Sequence, residues 1–178
     1  FMSLYETAQY VVIKKEKHNI EIRKYPILYL AQTKTKVDNR YSNGFNSVFN
    51  YISGNNKESQ KISMTTPVIS QISDETLSTS FVIPSKFSDK APIPNNPNVT
   101  IEKMDEGFYA VIRFNGSWNR MSFAKYNEAL TNYLSENNYK VLSDSFILRY
   151  QPPFIPSFFR RNEIMYQIEV SSEILEVA

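Results

Sequence analysis

At 178 residues, with 42% apolar and 21% charged side chains, the chain can bury one core of ordinary size and is too apolar to be disordered. A net charge of +2 makes no electrostatic case for nucleic acid. The lack of cysteine excludes disulfides, thiolate metal sites and cysteine nucleophiles, and a single histidine excludes a catalytic triad or a two-histidine metal site.

Along the chain, Phe1 ahead of Met2 reads as an added residue, and no basic-then-apolar signal opens the sequence. No apolar run approaches a membrane span, so the expectation is a cytoplasmic domain without membrane insertion. Between Tyr10 and Thr35 the alternation of Ile20, Ile22 and Tyr25, then Ile27, Tyr29 and Ala31, predicts two strands. A turn is expected at His18-Asn19, with Pro26 breaking the ladder. Phe45, Val48, Phe49 and Ile52 recur at i, i+3, i+4 and i+7. That spacing predicts an amphipathic helix capped by Ser42 and stopped at Gly54. Strands follow over Lys61–Ile72, interrupted by Pro67, and over Leu77–Ile83.

Residues 84–98 carry four prolines and read as a joining loop. The order then repeats: strands over Val99–Lys103 and Phe108–Asn115, and a helix traced by Phe123, Tyr126, Leu130, Tyr133 and Leu134. Strands over Ser145–Gln151 and Glu163–Val170 close the pattern. Two strand–strand–helix–strand–strand units, about residues 5–83 and 99–170, form one duplicated domain on this reading. The expected class is α+β, with two helices on a mostly antiparallel sheet large enough to curl. Between Pro152-Pro153 and Arg160-Arg161 lies Phe154-Ile155-Pro156-Ser157-Phe158-Phe159, too apolar for an ordinary solvated loop.

Few residues carry obvious chemistry. His18 reads either as an axial ligand or lone base, or as an exposed turn residue between Lys17 and Asn19. Glu163 reads as a buried base or arginine-orienting carboxylate, or as half of an ion pair pinning the aromatic loop. Arg160 and Arg161 suit bidentate binding of carboxylate or phosphate, or packing on aromatic faces. No glycine-rich phosphate loop or nucleophile elbow is present. These residues suit a flat apolar ligand with acidic groups, and do not name it.

The blocks Tyr51-Ile52-Ser53-Gly54-Asn55-Asn56, Ile62-Ser63-Met64-Thr65-Thr66-Pro67-Val68 and Phe81-Val82-Ile83-Pro84-Ser85-Lys86-Phe87 stand in order with Tyr150-Gln151-Pro152-Pro153 and Arg160-Arg161-Asn162-Glu163-Ile164. Together they resemble the SOUL haem-binding family over nearly the whole chain. The resemblance implies a duplicated α+β domain, a distorted antiparallel β-barrel flanked by two helices. It further implies non-enzymatic, non-covalent binding of haem or another tetrapyrrole in a hydrophobic groove, for haem buffering or delivery. Carried onto this sequence, the groove would use Phe45, Val48, Phe49 and Ile52 with Phe154, Phe158 and Phe159, and Arg160 or Arg161 near the propionates. His18 lies outside every matching block, which leaves the axial ligand unassigned. The alternative is a general effector-binding domain of the gyrase-inhibitor type, with a different small molecule as ligand.

Overall fold

The computed structural model describes residues 5–38, 44–152 and 154–172. In chain order come strands β1 (Glu6–Thr7), β2 (Val11–Lys15), β3 (Ile20–Tyr25) and β4 (Leu28–Lys36), then helix α1 (Phe45–Ile52). They are followed by β5 (Thr65–Thr66), β6 (Val68–Ser73), β7 (Thr76–Val82), β8 (Val99–Met104) and β9 (Gly107–Asn115). Helix α2 (Arg120–Glu136) and strands β10 (Lys140–Val141), β11 (Phe146–Arg149) and β12 (Arg161–Glu169) complete the chain. The α+β class is as expected.

Two compact units share these elements, and neither is a continuous stretch. One takes the residues up to Ala8 together with Ile27–Asp105; the other takes Gln9–Pro26 and the residues from Glu106 onward. The first unit therefore owns β8, and the second owns β3. Each strand pairs with a member of its own unit: β8 with β4, from Leu28↔Met104 to Thr33↔Val99, and β3 with β9, from Tyr25↔Gly107 to Ile20↔Ile112.

In the first unit the antiparallel order is β6-β7-β4-β8, with α1 packed on it. Val48, Tyr51 and Ile52 of the helix join Ala31, Phe81 and Val99 of the strands in one apolar cluster. Gly44, just before the helix, has φ +89, a left-handed conformation that glycine adopts without steric cost. The proposed cap Ser42 lies outside the described residues. Gly54 follows the last turn at φ +120, as a helix stop should. The proline-rich loop is fastened to this unit. Tyr51 donates its hydroxyl proton to the Pro92 carbonyl at 2.6 Å, and the Lys57 amide donates to the Ile93 carbonyl at 2.8 Å. Buried Asn56 holds the turn between them, donating to the Gln60 carbonyl and accepting from its amide.

In the second unit the order is β2-β3-β9-β12-β11, with β10 also paired to β12. Helix α2 starts at Asn119, whose side chain accepts from the Ser122 amide, and buries Phe123, Leu130 and Leu134. Phe114 of β9 stacks on Tyr126 at 4.1 Å and meets Phe123 edge-on at 5.7 Å. Both helices are too short or too polar to cross a membrane.

The expected barrel is not seen as a closed sheet: within each unit the strand order is linear. β2 carries a register shift between Val12 and Lys14 and ends in two lysines, and β8 exposes Glu102 and Lys103.

Candidate functional site

The sequence-predicted residues fall into two sets. On α1, Val48 and Ile52 belong to the core, whereas Phe45 is half-buried and Phe49 exposed, their rings stacked at 6.0 Å. The helix thus offers two aromatic side chains to its surroundings, and the aliphatic half of the predicted stripe is committed to packing.

In the second unit the aromatic loop is bare. Phe154, Phe158 and Phe159 are 83%, 65% and 63% exposed, with the last two rings 4.4 Å apart on a short 3-10 turn (Ser157–Phe159). Strand β11 stops at Arg149, ahead of the prolines. The loop is nevertheless shaped: Arg160 Nε donates to the Ile155 carbonyl at 2.8 Å and closes it into a knuckle. The Arg160 guanidinium lies 4.8 Å from the centre of the Trp118 ring, and that of Arg149 lies 5.0 Å from the same centre. Trp118 is fixed by its indole N–H donating to Asn162 Oδ1 at 2.8 Å, while Asn162 donates to the Gly116 carbonyl. The knuckle and the turn before α2 therefore form one surface. Trp118, absent from the predicted set, is its hinge pin; the only sequence signal was its being the single tryptophan.

Arg161 points inward. Its guanidinium donates to Glu163 at 3.0 Å and to the Tyr10 hydroxyl at 3.1 Å, and lies 3.9 Å from the Tyr150 ring centre. Glu163 is fully buried and also accepts a bidentate pair from Arg23, at 2.8 and 2.6 Å. Arg23 stacks over Tyr10 at 4.0 Å, donates to Tyr25, and is bound at Nε by Glu21. Two arginines and two glutamates thus balance in one chain of charge, buried at Arg23 and Glu163 and part-exposed at its ends, Glu21 and Arg161.

Burial pushes the Glu163 carboxyl up, but hydrogen bonding and charge from Arg23, then Arg161, outweigh this and hold it below the ordinary range. It is an ionised acceptor with its oxygens engaged. The ion-pair reading of Glu163 is the one seen, and it joins two strands rather than facing the aromatic loop. Burial also raises Tyr25 and Tyr150.

His18 is exposed at the tip of the β2–β3 hairpin, where it and Asn19 both take left-handed backbone angles, φ 62 and 60. Its turn role is as expected. Among the described residues no cluster of three or more His, Asp or Glu side chains forms a metal cage.

Three comparisons set these features among known proteins. The family model described as SOUL heme-binding protein matches residues 5–167. A comparison with curated proteins returns no match. The fold is similar to the EcmrR C-terminal domain, with TM-score 0.66 and 10% identity over 88% of this chain and 100% of that one. It is similar to a hydrolase from Listeria innocua, with TM-score 0.58 and 10% identity over 87% and 94% of the two chains. A third similar structure is SAV2435 bound to tetraphenylphosphonium, with TM-score 0.51 and 12% identity over 84% and 93%. At such identities the structural likeness establishes the fold alone. The family match spans nearly the whole chain, and this chain belongs to the SOUL haem-binding protein family.

Proposed function

We propose that this chain is a non-enzymatic binder of haem or a related tetrapyrrole, suited to haem buffering or delivery. The family match across residues 5–167 carries the reading. The bare aromatic knuckle supports it, because Phe154, Phe158 and Phe159 offer the apolar faces that a porphyrin plane needs. Of the two arginines suggested for the propionates, Arg160 stands at that surface, whereas Arg161 is engaged by Glu163 and Tyr10. His18 and Met64 are poorly placed as donors for iron. The only imidazole is on an exposed hairpin tip, and Met64 packs against the core of the first unit. Binding of the macrocycle by its faces and edges is the arrangement these residues fit. A non-catalytic role is supported by Glu163, whose carboxylate is saturated by arginine.

Hemin titration followed at the Soret band tests the proposal. A saturable shift is expected, unchanged in His18→Ala and weakened roughly tenfold or more in a Phe158→Ser/Phe159→Ser variant. No saturable shift at micromolar protein would sink it. The similarity to a tetraphenylphosphonium-bound structure supports a second reading, a general effector-binding domain. A thermal-shift comparison separates the two. Greater stabilisation by tetraphenylphosphonium than by hemin would favour the second.

A further inference from the structure

We infer that the surface formed by the aromatic knuckle and the turn before α2 docks on an anionic lipid bilayer. Three exposed phenylalanines project from one short loop, and Met121, three residues beyond Trp118, is itself 84% exposed. So many bare large apolar side chains on the knuckle and the first turn of α2 mark an interaction surface. The charge around them identifies the occupant. Residues 116–122 and 149–161 contain no carboxylate, and of their four arginines Arg120 and Arg160 reach the surface, whereas Arg149 is buried and Arg161 turns inward to Glu163. Arg120 is exposed, and Arg160 is held over Trp118 at the rim. The nearest acidic group along β12, Glu163, is buried and neutralised by Arg23 and Arg161.

Apolar side chains flanked by cations, with a tryptophan locked between them, match the chemistry of the headgroup–acyl boundary. Phenylalanine enters the boundary, and arginine and tryptophan stay at headgroup level. Neither the apolar part nor the basic part suffices alone; together they supply the two signals that stable peripheral attachment needs. The mode is shallow docking by loops. Lipid docking needs no haem: the three phenylalanines are bare without a ligand, and hemin, which would cover the same faces, should compete with the bilayer for them.

The test is co-sedimentation of the full chain, without hemin, with phosphatidylcholine vesicles containing about 30% phosphatidylserine, and with vesicles of phosphatidylcholine alone. Binding is expected to the anionic vesicles, falling in high salt, and to be at least about tenfold weaker on neutral ones. Phe154→Ser/Phe158→Ser/Phe159→Ser should keep its melting temperature and lose more than about tenfold in partitioning. Arg120→Gln should lose about fivefold. Three results would overturn the inference: no pelleting with anionic vesicles, equal pelleting with neutral ones, or pelleting that the triple variant retains. Self-association abolished by the triple variant, without vesicle binding, would overturn it in favour of a second copy. Hemin titration of the same variants is an independent readout, so failure of haem binding and failure of lipid binding are told apart.

Discussion

Arg23 and Glu163 stand on strands separated by β9 in the second unit, and their guanidinium and carboxylate meet in the interior through paired hydrogen bonds of 2.8 and 2.6 Å. Both side chains are buried, so each is the other's substitute for water. With Glu21 and Arg161 at either end, the four residues tie β3 to β12.

Glu163→Gln should therefore destabilise the fold by about 3–5 kcal/mol, because it leaves the buried Arg23 charge with only the part-exposed Glu21 as counter-ion. Replacing both partners by apolar residues, Arg23→Met/Glu163→Leu, should cost much less than either single change. Urea denaturation of the three variants measures this, and additive losses would contradict it.

Acid should act through the same carboxylate. The folded state holds Glu163 below its ordinary value, so its contribution is complete above the unfolded value of about 4.3 and is lost as pH falls through the folded one. Stability measured from pH 7 downward should fall below about pH 4, and Glu163→Gln should flatten that part of the curve.

Alkali should meet the buried phenols. Burial is the largest cause of the raised Tyr25 and Tyr150, which stay protonated in the folded chain while an unfolded tyrosine ionises near 10. Their contribution is present below about pH 10 and is lost as pH rises through the folded values. Tyrosinate absorbance should show a late fraction of the twelve tyrosines titrating together with loss of structure; twelve freely titrating phenols would refute it.

Gly44 is the backbone position least tolerant of a side chain. A Cβ there would stand 2.6 Å from Thr33 Cγ2, on a φ of +89 that other residues rarely adopt. Gly44→Ala should cost about 2 kcal/mol or more, read as a lowered urea midpoint. An unchanged midpoint would mean the turn relaxes freely.

Periodicity made the secondary structure legible. The i, i+3, i+4, i+7 spacing of Phe45 to Ile52 marked α1, although its N-cap is Gly44 and not the expected Ser42, and Pro26 and Pro67 fall between strands as expected. The segment 61–64 is the exception: its alternation is present, but only Thr65–Thr66 pairs, with β1. Pairing was the hidden layer. Arg23 carries no local mark of its partner 140 residues away, because the pair is made across β9 and with an offset along it, Arg23 lying opposite Tyr109 and Glu163 opposite Arg113. The bareness of the aromatic knuckle was equally unreadable. An apolar run in sequence predicts cover, whereas the loop closed by Arg160 leaves its three phenylalanines exposed.

The ownership of β3 and β8 has a consequence for synthesis. As the chain emerges from the ribosome, β3 can pair at first only with β2; its other neighbour, β9, appears some eighty residues later. The first unit can assemble sooner, since β4, α1, β6, β7 and β8 are all present once Asp105 has been made. A nascent chain halted there should protect β4 and β7 amides from hydrogen exchange and leave β3 open, so the order of maturation runs against the order of translation.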